Sequence, residues 1–274
     1  MTQFGTPTTA YALTSGDSPV TLDWAGATDV GRRRAHNEDS FIAEAPFFVV
    51  ADGMGGHSAG DVASDAVVRR LREAGQTTPV VTPSLVERAL QEATEDIMTA
   101  AKDSELGAGT TVTGAFLTTE ETGEVVFTVF NVGDSRVYLL DGGVLRQVTV
   151  DHSVVQEMVD AGLLHPDDME RHPDSNVITR AVGFDADPQP DYWRLPATDG
   201  MRLLVCSDGL TKELAPVHIA AILGAVGETA EAATALVDAA VEAGGRDNVT
   251  AVVVDVRGTG HVGDGAERGA DTHD

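Results

Sequence analysis

The chain has 274 residues, of which 42% are hydrophobic, so it can bury a substantial core as one large domain or two small ones. Its formal net charge of −26 argues against nucleic acid and anionic membranes as partners. Cys206 is the only cysteine, which excludes a disulfide within the chain and a thiolate zinc cluster. Because no signal-like segment and no apolar run of about 20 residues is present, we expect a cytoplasmic protein without a membrane partner.

The N-terminal part of the chain combines a featureless region with a strongly charged run. Residues 1–20 are rich in Thr, Ser, Gly and Pro without periodicity, which predicts a flexible N-terminal arm. Residues 22–30 have the pattern of a strand, and three arginines and two acids follow in 31–39. This charged run is either a solvated surface segment or a site where one arginine grips an oxyanion while Glu38 and Asp39 face a cation.

An apolar run at 47–51 predicts a strand buried on both faces, and it stops abruptly at Asp52. Four glycines between 53 and 60 then allow a tight turn, before a predicted helix over 58–72. A dinucleotide-binding turn is disfavoured because the third glycine is missing and an aspartate would repel a phosphate. Two interpretations of this stretch remain open. One is a site for a hard cation that Asp52 and a backbone carbonyl bind, and the other is an ordinary turn with an exposed aspartate.

The middle of the chain predicts one long helix and an antiparallel meander. Apolar residues recur every fourth position over 83–104, which is typical of an amphipathic helix. Four strands are predicted next, and Gly142 and Gly143 mark a hairpin between the last two; the strands cover 110–118, 125–132, 136–140 and 144–148. Asp134 lies between two of them, where a turn aspartate bonded to local backbone is the simplest interpretation.

The last third repeats the pattern of a buried strand next to an acid. A predicted strand over 202–207 ends at Asp208, and Asp247 precedes another over 249–255, with helices predicted at 217–223 and 231–243. Three acids, including Asp52, therefore lie next to the ends of buried strands, which chance rarely produces. Residues 258–274 are glycine-rich and acidic, which predicts a disordered tail.

Several motifs occur in a fixed order along the chain and together are highly specific. They are Gly31-x-x-Arg34-x-x-Asn37-Glu38-Asp39, Ala51-Asp52-Gly53-Met54-Gly55-Gly56-His57, Gly109-Thr110-Thr111, Val132-Gly133-Asp134-Ser135-Arg136, Asp151-His152-Ser153, His172-Pro173 with Asn176 to Ala181, Ser207-Asp208-Gly209 and Arg246-Asp247-Asn248-Val249. This set resembles the metal-dependent protein serine/threonine phosphatases of the type 2C family, in particular the bacterial branch.

The resemblance implies an α+β fold, a four-layer αββα sandwich in which two central antiparallel sheets are flanked by helices. The phosphatase domain would cover residues 21–257, with a mobile flap at about 151–184. In the family pattern Asp52 bridges two metal ions, while Asp208 and Asp247 ligate the first ion. The Gly53 carbonyl ligates the second ion, together with Glu38 directly or through water.

Further roles follow from the same resemblance. Arg34 matches the arginine that holds the substrate phosphate, and it is expected to be catalytic together with Asp52 and Asp39. Asp39 and Asn248 match positions that orient metal-bound waters or ligands, and Asp134 matches a residue linked to a weaker third metal.

The implied activity is hydrolysis of phosphoserine and phosphothreonine in proteins by a water or hydroxide that bridges two Mn²⁺ or Mg²⁺ ions, without a phosphoenzyme. Oxygen-only ligands suit these hard cations independently of the resemblance. Met54 stands where animal members have a histidine that is a candidate general acid, and His57 follows three residues later.

We expect a monomer that acts on phosphoproteins and reverses phosphorylation by bacterial serine/threonine kinases, which are its expected partners. Two alternatives are a catalytically silent module that binds phosphoproteins and a partner-switching phosphatase dedicated to one small phosphoprotein. The complete set of acids and Arg34 argues against the silent module.

Overall fold

The computed structural model describes residues 1–13, 20–55, 59–78, 80–102, 107–120, 124–184 and 187–258. They form two β-sheets that pack face to face. In spatial order, the first sheet contains β1 (Gln3–Phe4), β4 (Asp39–Glu44), β5 (Phe47–Gly55), β7 (Val112–Thr119), β8 (Val125–Val132) and β11 (Asp191–Pro196), with the short β6 (Ala108–Thr110) paired to the end of β5. The second contains β10 (Val144–Gln147), β9 (Arg136–Asp141), β12 (Arg202–Cys206), β13 (Val249–Gly258), β3 (Val20–Asp29) and β2 (Thr8–Leu13).

Helices cover the outer face of each sheet. The helices α1 (Ala59–Thr77) and α2 (Pro83–Ala100) pack on the first sheet. On the second sheet lie α4 (Asp208–Thr211), α5 (Pro216–Ala225) and α6 (Thr229–Ala243). The predicted four-layer αββα sandwich is therefore confirmed, and the pairing is antiparallel apart from β1 with β4.

The strand β5 shows why a continuous apolar run was needed. Phe47, Val49 and Ala51 face α1 and α2, whereas Phe48 and Val50 point into the layer between the sheets. All five are essentially inaccessible to solvent, as predicted for a strand buried on both faces. The run fixes the position of Asp52, because that residue continues the same strand.

The N-terminal arm predicted for residues 1–20 is wrong where the structure describes it. The strand β1 pairs with β4, and β2 pairs with β3, because both sheets had a free edge that could accept another strand. Tyr11 of β2 packs edge-on against Trp24 at 5.0 Å between ring centroids. Residues 14–19 of the arm, and residues 259–274 of the predicted tail, lie outside the described residues.

Between β10 and β11 lies the segment predicted as a flap. It contains α3 (Val154–Asp160) and a 3₁₀ helix, Pro166–Arg171. Of the helices that the structure describes, none is both long and apolar enough to cross a membrane.

We expect Phe48→Ala to lower the free energy of unfolding by about 3–5 kcal/mol, because it leaves a cavity between the two sheets. The Phe48 ring lies 5.4 Å from Trp24 and 6.3 Å from Phe127 by ring centroids. Urea denaturation measures the loss, and Leu163→Ala is the control because Leu163 is 74% exposed. A Phe48→Ala loss no larger than that of the control would contradict this packing.

Candidate metal centre

One cleft of about 420 Å³ opens where strand ends of both sheets meet. The chain segments around it come from the start of β4, the end of β5, the turn between β8 and β9, the start of α4, the residues before β13 and the flap segment. Its lining consists of Arg34, Glu38, Asp52, Gly53, Met54, Gly55, Thr111, Asp134, Asn176, Ile178, Asp208, Lys212 and Asp247. Acidic residues that lie far apart in the sequence therefore line the same cleft.

Asp39 and Asp52 are brought together by strand register. They are directly opposed in the β4–β5 pair, although no strand was predicted at residues 39–44. The backbone of Asp52 is fixed by Thr111, whose N–H donates to the Asp52 carbonyl at 2.9 Å and whose hydroxyl accepts from the Asp52 N–H at 3.1 Å. These two hydrogen bonds therefore fix the backbone position of Asp52 within the sheet.

The side chain of Asp39 is fully buried behind the cleft. Its Oδ2 accepts hydrogen bonds from Ser207 Oγ at 2.9 Å and Thr250 Oγ1 at 2.6 Å, whereas its Oδ1 has no partner among the described residues. Burial, together with the charges of Asp208 and Asp247, raises the pKa of Asp39 to about 7, although the two hydrogen bonds oppose this shift.

Asn248 ties the segment before β4 to the second sheet. Its amide nitrogen donates to the carbonyls of Val30 and His36, both at 3.0 Å, and its Oδ1 accepts from the Glu38 N–H at 2.9 Å. Asn248 thereby sets the backbone position of Glu38.

Gly53 lies in a close approach of backbone to backbone. A Cβ there would come within 2.1 Å of the Gly60 carbonyl oxygen and 2.7 Å of the Glu38 carbonyl oxygen. Only glycine therefore fits between the start of α1 and the residues before β4.

Asp134 is held by the turn between β8 and β9, and that turn is joined to the base of the flap segment. Gly133 has φ of +110°, and its N–H donates to Nδ1 of the buried His152 at 3.2 Å. Because Nδ1 accepts, Nε2 carries the proton and donates to Asp191 Oδ2 at 3.1 Å. Arg136 grips Asp151 from Nε and Nη2, which fixes the same junction.

Asp134 itself is 9% exposed and makes no side-chain hydrogen bond within the described part of the chain. Burial and the charge of Asp208 raise its pKa to about 7, while Lys212 opposes the shift. Asp52 behaves in the same way, since burial and the charges of four neighbouring aspartates raise its pKa well above the usual range. The cleft thus concentrates negative charge that calls for a cation.

Two expected metal ligands are paired with basic side chains of the chain itself. Arg34 Nη2 donates to Asp247 Oδ2 at 2.8 Å, and the Lys212 ammonium contacts Asp208 Oδ2. As the side chains stand, the described His, Cys, Asp and Glu residues form no group of three arranged to hold a metal ion.

The donors nevertheless fit a hard divalent cation in kind. Asp208 Oδ1 is buried with no hydrogen-bond partner among the described residues, and Asp39 Oδ1 is in the same state. An unpaired buried carboxylate oxygen is costly unless a cation offsets its charge. All the candidate ligands are oxygens, which suit Mg²⁺ or Mn²⁺.

Sequence reasoning missed some of the cleft. It gave no role to Lys212, although a lysine four residues after Asp208 on a helix could have indicated an ion pair. Asn176 and Ile178, from the segment between β10 and β11, also line the cleft. His57 lies outside the described residues.

The family described as protein phosphatase 2C matches this chain over residues 31–239. The serine/threonine phosphatase stp of Listeria monocytogenes serovar 1/2a is 38% identical over 241 residues, which cover 83% of this chain and 93% of that protein.

Solved structures give the same result. The serine/threonine phosphatase PstP of Mycobacterium tuberculosis superposes with a TM-score of 0.77 at 36% identity, covering 86% of this chain and 99% of that one. A structure of the PstP catalytic domain in complex with two manganese ions has a TM-score of 0.77 at 36% identity and covers 87% of this chain and 99% of its own. The chain therefore belongs to the protein phosphatase 2C family.

Proposed function

We propose that this protein is a metal-dependent phosphatase that hydrolyses phosphoserine and phosphothreonine in proteins. The observation that carries the proposal is the convergence of Asp52, Asp208 and Asp247 on one cleft that also holds Arg34. The family membership and the serine/threonine phosphatases among its relatives support the reaction class.

The residues proposed to hold two Mn²⁺ or Mg²⁺ ions are the ones that line this cleft. Asp52 would be shared between the ions, Asp208 and Asp247 would hold one, and the Gly53 carbonyl and Glu38 would hold the other. When bound, such ions lower the pKa of a water nucleophile and stabilise the attacking and leaving oxygens of the phosphoryl group. The two manganese ions bound by the PstP catalytic domain support this assignment.

Arg34 is proposed to bind the phosphate. Its side chain is 49% exposed at the cleft, and Nη2 is the atom engaged with Asp247. The planar guanidinium has further N–H donors that can reach two phosphate oxygens at once. By neutralising those oxygens, Arg34 would draw an anionic substrate into a strongly acidic protein.

Asp39 and Asn248 are proposed to orient the ligands rather than to contact the phosphate. Asp39 acts from behind the cleft, where Ser207 and Thr250 hold its carboxylate. Asn248 acts through the backbone of Glu38. The resemblance expects Asp134 to hold a weaker, third cation, and Asp134 is a buried carboxylate of the same cleft, but Lys212 lines that part of the cleft as well.

The substrates are proposed to be phosphoproteins made by bacterial serine/threonine kinases, with the phosphatase acting as a monomer in the cytoplasm and taking part in signal transduction. The bacterial serine/threonine phosphatases among its relatives support this. A silent phosphoprotein-binding module is disfavoured, because binding a phosphate would require Arg34 but not the acids around it.

Asp208→Asn is expected to lower the rate of phosphothreonine-peptide hydrolysis with Mn²⁺ by roughly 10²-fold or more, because the amide removes a charged ligand. Steady-state kinetics measure the loss, and circular dichroism shows whether the variant is folded. The matched control is Asp238→Asn, which makes the same change on the exposed surface of α6. Near-wild-type turnover by folded Asp208→Asn would contradict its assignment as a ligand.

Arg34→Lys is expected to raise KM for the phosphopeptide roughly tenfold, because an ammonium cannot replace a fork that binds two phosphate oxygens. The neighbouring Arg33 is exposed, so Arg33→Lys is the control and should leave KM unchanged. Mn²⁺ affinity is measured in parallel, since Arg34 also contacts Asp247. An unchanged KM in Arg34→Lys would remove the phosphate-binding role.

A further inference from the structure

Lys212 places a positive charge inside the candidate metal centre. It follows Asp208 by one helical turn at the end of α4, and its ammonium contacts Asp208 Oδ2 while its backbone N–H donates to the Asp208 carbonyl at 2.8 Å. The side chain lines the cleft of about 420 Å³ together with Asp52 and Asp134. Lys212 therefore faces the site rather than the open solvent, with 26% of its side chain exposed.

Lys212 acts on several carboxylates at once. Its ammonium contacts Asp208, and its side chain shares the lining of the cleft with Asp52 and Asp134. A protonated ammonium is thus the cation that this corner of the cleft already contains.

A cavity of about 20 Å³ lies in the same corner. Its lining includes Asp134, Ser153, Asp208 and Lys212. A space of this volume admits about one water molecule or one ion. Asp134 and Asp208 Oδ1 both lack hydrogen-bond partners among the described residues, so the corner has unpaired carboxylate oxygens as well as room for a cation.

We propose that the ammonium of Lys212, which contacts Asp208 and lines the same cavity as Asp134, is a built-in cation that excludes a divalent ion from this pair of carboxylates. The proposal rests on the proposed function, because Asp208 is also a ligand of the catalytic ions, and it corrects the third-cation role of Asp134 in the wild-type chain. A fixed ammonium at the wall of this cavity repels a divalent ion that would enter it. Only the catalytic pair of ions then exchanges with solvent.

The test counts the Mn²⁺ ions that metal-stripped protein binds, by isothermal titration calorimetry checked by equilibrium dialysis. The wild-type protein is expected to bind two Mn²⁺ ions, and Lys212→Met is expected to bind three. The third ion should bind to Lys212→Met at least tenfold more tightly than any third ion binds to the wild-type protein. Lys102 and Lys212 are the lysines of this chain, so Lys102→Met is a control with the same change of net charge. It should bind two ions.

Two further variants make the result specific. Adding Asp134→Asn to Lys212→Met should abolish the extra ion, and Lys212→Arg should bind two ions because the positive charge is kept. Lys212→Gln replaces Lys212→Met if the methionine variant does not fold. Equal Mn²⁺ stoichiometry and affinity in wild type and Lys212→Met would overturn this inference and leave the proposed function intact. A wild-type protein that binds no Mn²⁺ would overturn both.

Discussion

The repulsion among carboxylates at one end of the sandwich is the constraint on which the rest of the site depends. Asp39, Asp52 and Asp134 all have raised pKa values because burial and like charges disfavour their ionised forms. Water would relieve this repulsion if the chain unfolded, so the fold must hold the acids together against it. Packing elsewhere in the sandwich supplies that stability.

Rigid elements deliver the acids to the cleft. Asp52 extends a strand that is covered on both faces, and Asp208 starts the helix that follows the central strand β12. Asn248 and Thr111 then fix the backbone of Glu38 and Asp52 through hydrogen bonds. Such pre-organisation keeps charged ligands in place before a metal binds, which suits a site where small displacements are costly.

The chain stabilises the carboxylates of the cleft in two different ways. The hydroxyls of Ser207 and Thr250 satisfy one oxygen of Asp39, and Arg34 and Lys212 pair with Asp247 and Asp208. The oxygens left without partners are where divalent cations would act. Arg34 has the exposure to exchange its carboxylate for a phosphate, whereas Lys212 is enclosed among acids. Arg34 is therefore suited to bind the substrate phosphate, whereas Lys212 is suited to stay paired with the acids.

The sequence predicted the parts of the fold that have strong local signals. The run at 47–51 could be recognised because both faces of β5 are buried, and the motif order led to the acids of the cleft. The strands β1, β2 and β11 were missed because each lies at a sheet edge, where exposed positions interrupt the hydrophobic pattern. The strand β4 is almost fully buried, but it is only six residues long and begins with the polar residues Asp39 and Ser40. The role of Lys212 was also hidden, since a lysine four residues after an aspartate resembles an ordinary surface pair until Asp134 is brought beside it.

The most direct test of the central claim is hydrolysis of a phosphothreonine peptide by metal-stripped protein, with and without millimolar Mn²⁺. If the carboxylate cleft is the active site, activity should appear with Mn²⁺ and disappear when a chelator is added. Hydrolysis that is equally fast without a divalent ion, or absent despite demonstrated Mn²⁺ binding, would contradict the account.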